Sequence, residues 1–166
     1  MIVETGDRDV AALQHPVAFV LDNLRSAHNV GNIFRLAEIC GIERILTCGY
    51  TATPPHPKLV KTARGCDVLV PCEHKPTGVA AVEALQTDGY QVVAVETVVD
   101  APNVWDVTYK QPVAFVFGNE AIGLAPETLE RCDLAVRLPV FGRKNSLNVG
   151  NCAAVVAYTV IRQLHG

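Results

Sequence analysis

In the stretch LPVFGRKNSLNVGNCAAVV, Leu138 to Val156, a buried-type strand exits through Leu138-Pro139 and a polar loop follows. The loop carries Gly142, Arg143, Lys144 and Asn145, and a long apolar helix begins at Ser146 to Asn148. Either Asn145 or Ser146 makes a good helix N-cap, because a short side-chain oxygen satisfies the first free N–H groups. Capping accounts for one of these residues. It leaves Asn148 and Asn151 crowded at the mouth of an apolar helix, where polar groups must find partners, and a polar ligand is one candidate.

The same alternation extends back along the chain. Short β-branched runs bounded by Gly, Pro, Asp or Asn read as buried strands at Pro16–Leu21, Ile42–Thr47, Asp67–Val70, Gln91–Val95, Pro112–Phe117 and Asp133–Leu138. Helical patterns lie between them at Val30–Cys40, Thr77–Thr87, Ala125–Arg131 and Leu147–Leu164. Strand and helix in turn predict an α/β fold around a mainly parallel sheet, with helices on both faces. The Pro-rich segment TATPPHP, Thr51 to Pro57, is a stiff loop too short to divide domains. The 166 residues suit a single domain, with residues 1–15 as a short N-terminal extension.

Composition narrows the classes. Hydrophobic residues make up 49% and charged residues 19%, as in an ordinary globular protein. No apolar run approaches the roughly 20 residues of a membrane helix. The N-terminus, MIVETGDRDVAAL, lacks the basic-then-apolar pattern of a secretion signal, so a cytoplasmic location is expected. The six cysteines form no C-x-x-C pair and read as reduced, small hydrophobes. With five histidines also scattered, no metal is expected. A net charge of −3 argues against a protein that coats nucleic acid over its whole surface, and leaves room for a local basic site.

Sites in parallel α/β proteins form at the C-terminal ends of the strands, and two further stretches stand there. In LDNLRSAHNVGNIFR, Leu21 to Arg35, a strand gives way to Asp22, Asn23, Arg25, His28 and Asn29 before a helix starts. Asn29 is either the cap of that helix or a functional residue. Arg35 interrupts an otherwise apolar run, Ile33-Phe34-Arg35-Leu36-Ala37. In VAFVFGNEAIG, Val113 to Gly123, five apolar residues run into Gly118, where a missing side chain lets a ligand approach the backbone. Glu120 there could receive a ribose hydroxyl, tie down a neighbouring loop, or merely face water. No G-x-G-x-x-G, G-x-x-x-x-G-K-[ST] or G-x-S-x-G occurs, which excludes a P-loop nucleotidase and disfavours a nicotinamide-binding Rossmann domain and an α/β hydrolase.

Taken together, the three stretches resemble the signature motifs of the SpoU (TrmH) branch of the SPOUT RNA 2′-O-ribose methyltransferases. The first motif reads Asn29-Val30-Gly31-Asn32-Ile33-Phe34-Arg35, the second Gly118-Asn119-Glu120-Ala121-Ile122-Gly123, and the third Pro139 followed by Ser146-Leu147-Asn148-Val149. The resemblance covers the chain from about Pro16 to its end. It implies a deep C-terminal trefoil knot, which physical rules alone would not propose. It also implies a homodimer whose sites borrow from the partner subunit. S-adenosylmethionine would be held by the backbone at Gly118, Leu138 and Leu147, with Thr97 near the edge.

The catalytic set implied by the family is Arg35, Asn29, Glu120, Ser146 and Asn148. A guanidinium is a very poor proton acceptor, so Arg35 suits a clamp on a phosphate or a developing alkoxide better than a general base. Lys58, Lys61 and Arg64 recur every third residue and would share a helix face; with Arg25, Arg143 and Lys144 they are the expected RNA-binding cations. Many relatives have an added N-terminal RNA-binding domain, and many have a serine where Gly150-Asn151 stands here. Both departures look more like short single-domain members acting on transfer RNA than on ribosomal RNA. The alternatives are a non-catalytic RNA-binding or cofactor-sensing module on the same fold, and a small-molecule α/β enzyme.

Overall fold

A computed structural model describes residues 13–166, so the expectations placed on the first twelve residues lie outside the described part. Its elements, in chain order, are β1 (His15–Asp22), α1 (Ala27–Ile39), β2 (Ile42–Cys48), α2 (Pro57–Ala63), α3 (Cys66–Leu69), β3 (Cys72–Lys75), α4 (Gly78–Thr87), β4 (Gln91–Val95), β5 (Val113–Phe117), α5 (Pro126–Arg131), β6 (Leu134–Val136) and α6 (Val149–His165). The six strands form one sheet in the order β3-β2-β1-β5-β4-β6, and every neighbouring pair is parallel.

β1 and β5 occupy the centre, which explains their unbroken apolar runs: side chains alternate between two buried faces. Val17, Phe19 and Leu21 of β1 join Val113, Phe115 and Phe117 of β5 on one face, under α1, α2 and α6. Ala18, Val20, Ala114 and Val116 face the other way, under α4 and α5. The Phe19 and Phe117 rings meet edge to face at 5.2 Å, an arrangement that favours the rim-to-face charge pattern of aromatic pairs.

Gly31 of α1 is required by packing. A Cβ there would lie 1.8 Å from Thr62 Oγ1 and 2.6 Å from the carbonyl oxygen of Leu59, so α1 and α2 cross at a distance that only glycine permits.

Four sequence expectations are corrected. Asp67–Val70 is not a strand; it falls on the short helix α3 and its cap, with Val68 and Leu69 at 81% and 65% exposure. The strand follows at Cys72–Lys75, an edge strand whose residues are part-exposed and polar and so show no apolar run. The last strand, expected to span Asp133–Leu138, is only Leu134–Val136. α1 begins at Ala27, and Ser26 is its cap, accepting from the Asn29 N–H at 3.2 Å; Asn29 is thus the third helical residue. α6 is capped by Asn148, which accepts from the N–H groups of Gly150 at 2.9 Å and Asn151 at 3.3 Å, rather than by Asn145 or Ser146.

Asp22 closes β1 in a buried position, 3% exposed. The Thr128 hydroxyl donates to its Oδ2 at 3.2 Å, while Oδ1 has no hydrogen-bond partner. Burial pushes the Asp22 carboxyl above the ordinary range, against the opposing bonds from Thr128 and the Gly78 backbone.

Candidate functional site

The C-terminal ends of β1, β4 and β5 and the approach to α6 enclose two connected clefts. The first is lined mainly by Val95, Phe117, Leu138, Leu147 and Val149, with Glu96, Thr97, Gly118 and Cys152. The second is lined by Arg25, Ser26, Asn29, Glu120, Ser146, Leu147, Asn148 and Val149. Glu120, Ser146, Leu147 and Val149 border both, so the two spaces open onto each other.

A side-chain relay joins the three sequence stretches at the second cleft. The Asn148 amide donates to Asn29 Oδ1 at 3.3 Å, and the Asn29 amide donates to Glu120 Oε1 at 3.2 Å. Glu120 also accepts from the backbone N–H of Arg25 at 2.8 Å and of Ser26 at 3.3 Å. It ties down a neighbouring loop, satisfying backbone donors at the entry to α1 from a distant part of the chain. A carboxylate is favoured there by the positive end of the helix. Partial burial works against its charge, but the bonds from Arg25, Ser26 and Asn29 outweigh it and hold the carboxyl below its ordinary pKa.

The turn that presents Glu120 is closed by its own backbone. Asn119 and Gly123 exchange hydrogen bonds at 3.2 and 2.9 Å, and Asn119 Oδ1 accepts from Ala121 N and Ile122 N. A Cβ on Gly118 would lie 2.6 Å from the Gly123 carbonyl carbon and from Leu124 N, so the turn packs against the side of Gly118 where a side chain would stand, while the residue also borders the first cleft. Gly123 has φ +72° and a Cβ there would lie 2.4 Å from Glu96 Oε2.

Glu96 was not anticipated. It follows the last residue of β4, accepts from the N–H of Thr97 and of Leu124, both at 2.8 Å, and places a carboxylate in the wall of the first cleft. A single acid between a strand and an irregular loop carries no sequence signal. Cys152 lines the same cleft, and its thiol is pushed up to about 12, chiefly by burial and then by the Glu96 charge. Burial also raises Cys48 and Cys132 to about 12 and Cys72 to about 11, so none of these thiols is a ready nucleophile.

The expected residues therefore divide. Asn29, Glu120, Ser146 and Asn148 come together at the second cleft, with Arg25 beside them. Thr97, Gly118, Leu138 and Leu147 line the first. Arg143 and Lys144 border a third, adjoining cleft with Arg137, which the sequence reading did not single out. Arg35 is exposed on α1 and borders neither of the first two clefts. Lys58 and Lys61 are exposed on α2, but Arg64 is its left-handed cap, so the three do not continue one helix face.

Known proteins resemble this chain in sequence and fold. The SpoU rRNA Methylase family matches residues 16–158. A 23S rRNA (uridine(2479)-2′-O)-methyltransferase of Streptomyces viridochromogenes is 30% identical over 148 residues, covering 87% of this chain and 52% of its own length. The crystal structure of the SpoU methyltransferase AviRb from Streptomyces viridochromogenes, in complex with AdoMet, superposes with a TM-score of 0.80 at 28% identity, over 90% of this chain and 58% of that one. A structure described as giving insights into the 2-OH methylation of C/U34 on tRNA superposes with a TM-score of 0.81 at 26% identity, over 92% of this chain and 99% of that one. The chain spans a little over half the length of the curated relatives it matches.

Proposed function

The chain belongs to the SpoU rRNA Methylase family, and from that premise we propose that it is an S-adenosylmethionine-dependent RNA methyltransferase acting on a ribose 2′-hydroxyl, of transfer RNA rather than ribosomal RNA. The observation that carries this reading is the relay from Asn148 through Asn29 to Glu120, which gathers three distant stretches at the opening between two clefts. The preference for transfer RNA is supported by the structure concerned with tRNA 2-OH methylation, of which nearly the whole length is matched.

The first cleft fits the donor chemically. Val95, Phe117, Leu138, Leu147 and Val149 suit a flat base, and the Glu96 carboxylate and Thr97 suit sugar hydroxyls. Backbone groups at Gly118, Leu138 and Leu147 would hold the adenosyl part. When bound, S-adenosylmethionine supplies an electrophilic methyl on a sulfonium centre. In the second cleft Asn29, Ser146 and Asn148 orient the target ribose, and much of the rate comes from that alignment. Glu120 fixes the start of α1, so that Asn29 and Arg25 keep their places.

Arg35 is proposed to stabilise the developing alkoxide, or the adjacent phosphate, in the site of a partner subunit. Its place on the exposed side of α1, with Ile39 (66% exposed) on the same helix and Tyr158 (57%) on α6 also uncovered, supports a homodimer formed by these helices. The sheet order, with the chain passing from the edge strand β6 to a central position for α6, supports the trefoil knot. One sheet with a core on each face supports one methyltransferase domain over the described residues 13–166.

Incubation with labelled S-adenosylmethionine and unfractionated transfer RNA tests the reading, with the modified nucleotide mapped by mass spectrometry. Label on a ribose 2′-oxygen is expected; label on a base, or on no RNA, overturns it. Arg35→Lys is expected to abolish turnover while donor binding survives, and near-normal methylation by that variant would sink the role given to Arg35.

A further inference from the structure

Tyr50 lies two residues beyond β2 with 63% of its surface exposed, yet it is held at both ends. Its backbone N–H donates to Asn23 Oδ1 at 3.2 Å, and its hydroxyl accepts from the Asn119 amide at 2.7 Å. Asn119 is buried, donates as well to the Asn23 carbonyl at 2.9 Å, and immediately precedes Glu120. The loops after β1, β2 and β5 thus meet at this one residue. The ring is presented to solvent with its polar tip turned inward onto Asn119.

We propose that the Tyr50 ring is a stacking platform for an unpaired base of the RNA substrate, beside the nucleotide whose ribose enters the second cleft. This rests on the RNA-methyltransferase reading above. Unpaired RNA, whose bases can be splayed out of the stack, is gripped by stacking on aromatic faces, and the exposed Tyr50 ring offers such a face. A ring already immobilised by Asn119 loses little conformational freedom on binding, which favours contact through it. The same network joins the platform to the cleft: the turn that anchors the tyrosine hydroxyl through Asn119 also carries Glu120, which positions Asn29. A stack is sequence-tolerant, because every base has a π-face, so the platform contributes grip and register rather than base identity.

The test measures binding of unfractionated transfer RNA by the full chain, with donor affinity measured in parallel. Tyr50→Ala is expected to weaken RNA binding roughly 5- to 150-fold with donor affinity unchanged. Tyr50→Phe, which keeps the ring and loses only its anchor, is expected to cost less than about 5-fold. The dependence of binding on salt stays the same in Tyr50→Ala, because no phosphate contact is lost, whereas Lys61→Ala flattens it if that cation meets a phosphate. As a second measurement, Tyr50→Trp is made together with Trp105→Phe, which removes the only other tryptophan, and its emission is expected to fall as RNA is added. RNA affinity unchanged in Tyr50→Ala, or emission of the Tyr50→Trp variant unmoved by saturating RNA, overturns the proposal, as does a loss confined to self-association in sedimentation. These are binding readouts, so a wild-type chain that binds RNA but transfers no methyl group would refute the enzymatic reading and leave the stacking result standing.

Discussion

Asn148 donates a hydrogen bond to Asn29 Oδ1 at 3.3 Å across a separation of 119 residues, while its own Oδ1 caps α6. One side chain thus does two jobs that substitution can separate. Asn148→Ser keeps an oxygen for the cap but cannot reach Asn29, and is expected to retain stability while methyl transfer falls at least ~10-fold. Asn148→Ala should lose activity and about 1 kcal/mol of stability as well. Thermal unfolding beside single-turnover rates makes the comparison; wild-type activity in Asn148→Ser would show that the relay is incidental.

Glu120 provides a pH signature. Its folded pKa is depressed, so the stability it contributes is present above the unfolded value, near 4.5, and is lost as pH falls through the folded value. Glu120→Gln is expected to be less stable than the parent at pH 7, with the gap closing in acid below that range. Melting temperatures of both proteins between pH 3 and 7 would reveal it, and a gap independent of pH counts against the assigned role.

Asp22 behaves with the opposite sign. Its pKa is raised by burial, so its contribution is present in full below the unfolded value, near ~3.9, and is lost as pH rises through the folded value. Asp22→Asn escapes that loss and keeps an oxygen for the Thr128 hydroxyl. Relative to the parent it is expected to gain stability between pH 4 and pH 7 in urea unfolding. An equal difference at both pH values contradicts the assignment.

Gly31→Ala places a methyl group where Thr62 and the Leu59 carbonyl already stand. Overpacking of this kind costs about 1–3 kcal/mol, and here backbone must yield, so the upper part of that range is expected. Chemical denaturation measures it. Adding Thr62→Ala should recover only part of the loss, because the Leu59 oxygen remains in the way.

The central strands were legible because burial on both faces leaves a continuous apolar run, as in Val113–Phe117. β3 was missed for the converse reason: at the sheet edge Cys72–Lys75 needs no apolar pattern, while the nearby Val68 and Leu69 imitate one from an exposed helix. The residues of the site were recognisable as motifs, but their individual duties were not. Asn29 looked like a cap and is the third residue of its helix, bonded by its backbone to the true cap Ser26, and Gly118 borders the cleft but is also demanded by the turn that packs against it. Glu96, Asn119 and Tyr50 act through partners far away in the chain, and such pairings leave no local pattern to read.

The thiol of Cys152 in the first cleft has a chemical consequence of its own. Sulfonium methyl groups alkylate thiolates, so a cysteine beside one invites the enzyme to modify itself. Burial, and after it the Glu96 charge, push the Cys152 thiol up to about 12, so it stays protonated at pH 7. The intact mass of the chain after long incubation with the donor should therefore stay that of the unmodified protein. On the function proposed above, the burial that shapes the pocket would also shield this thiol from the donor.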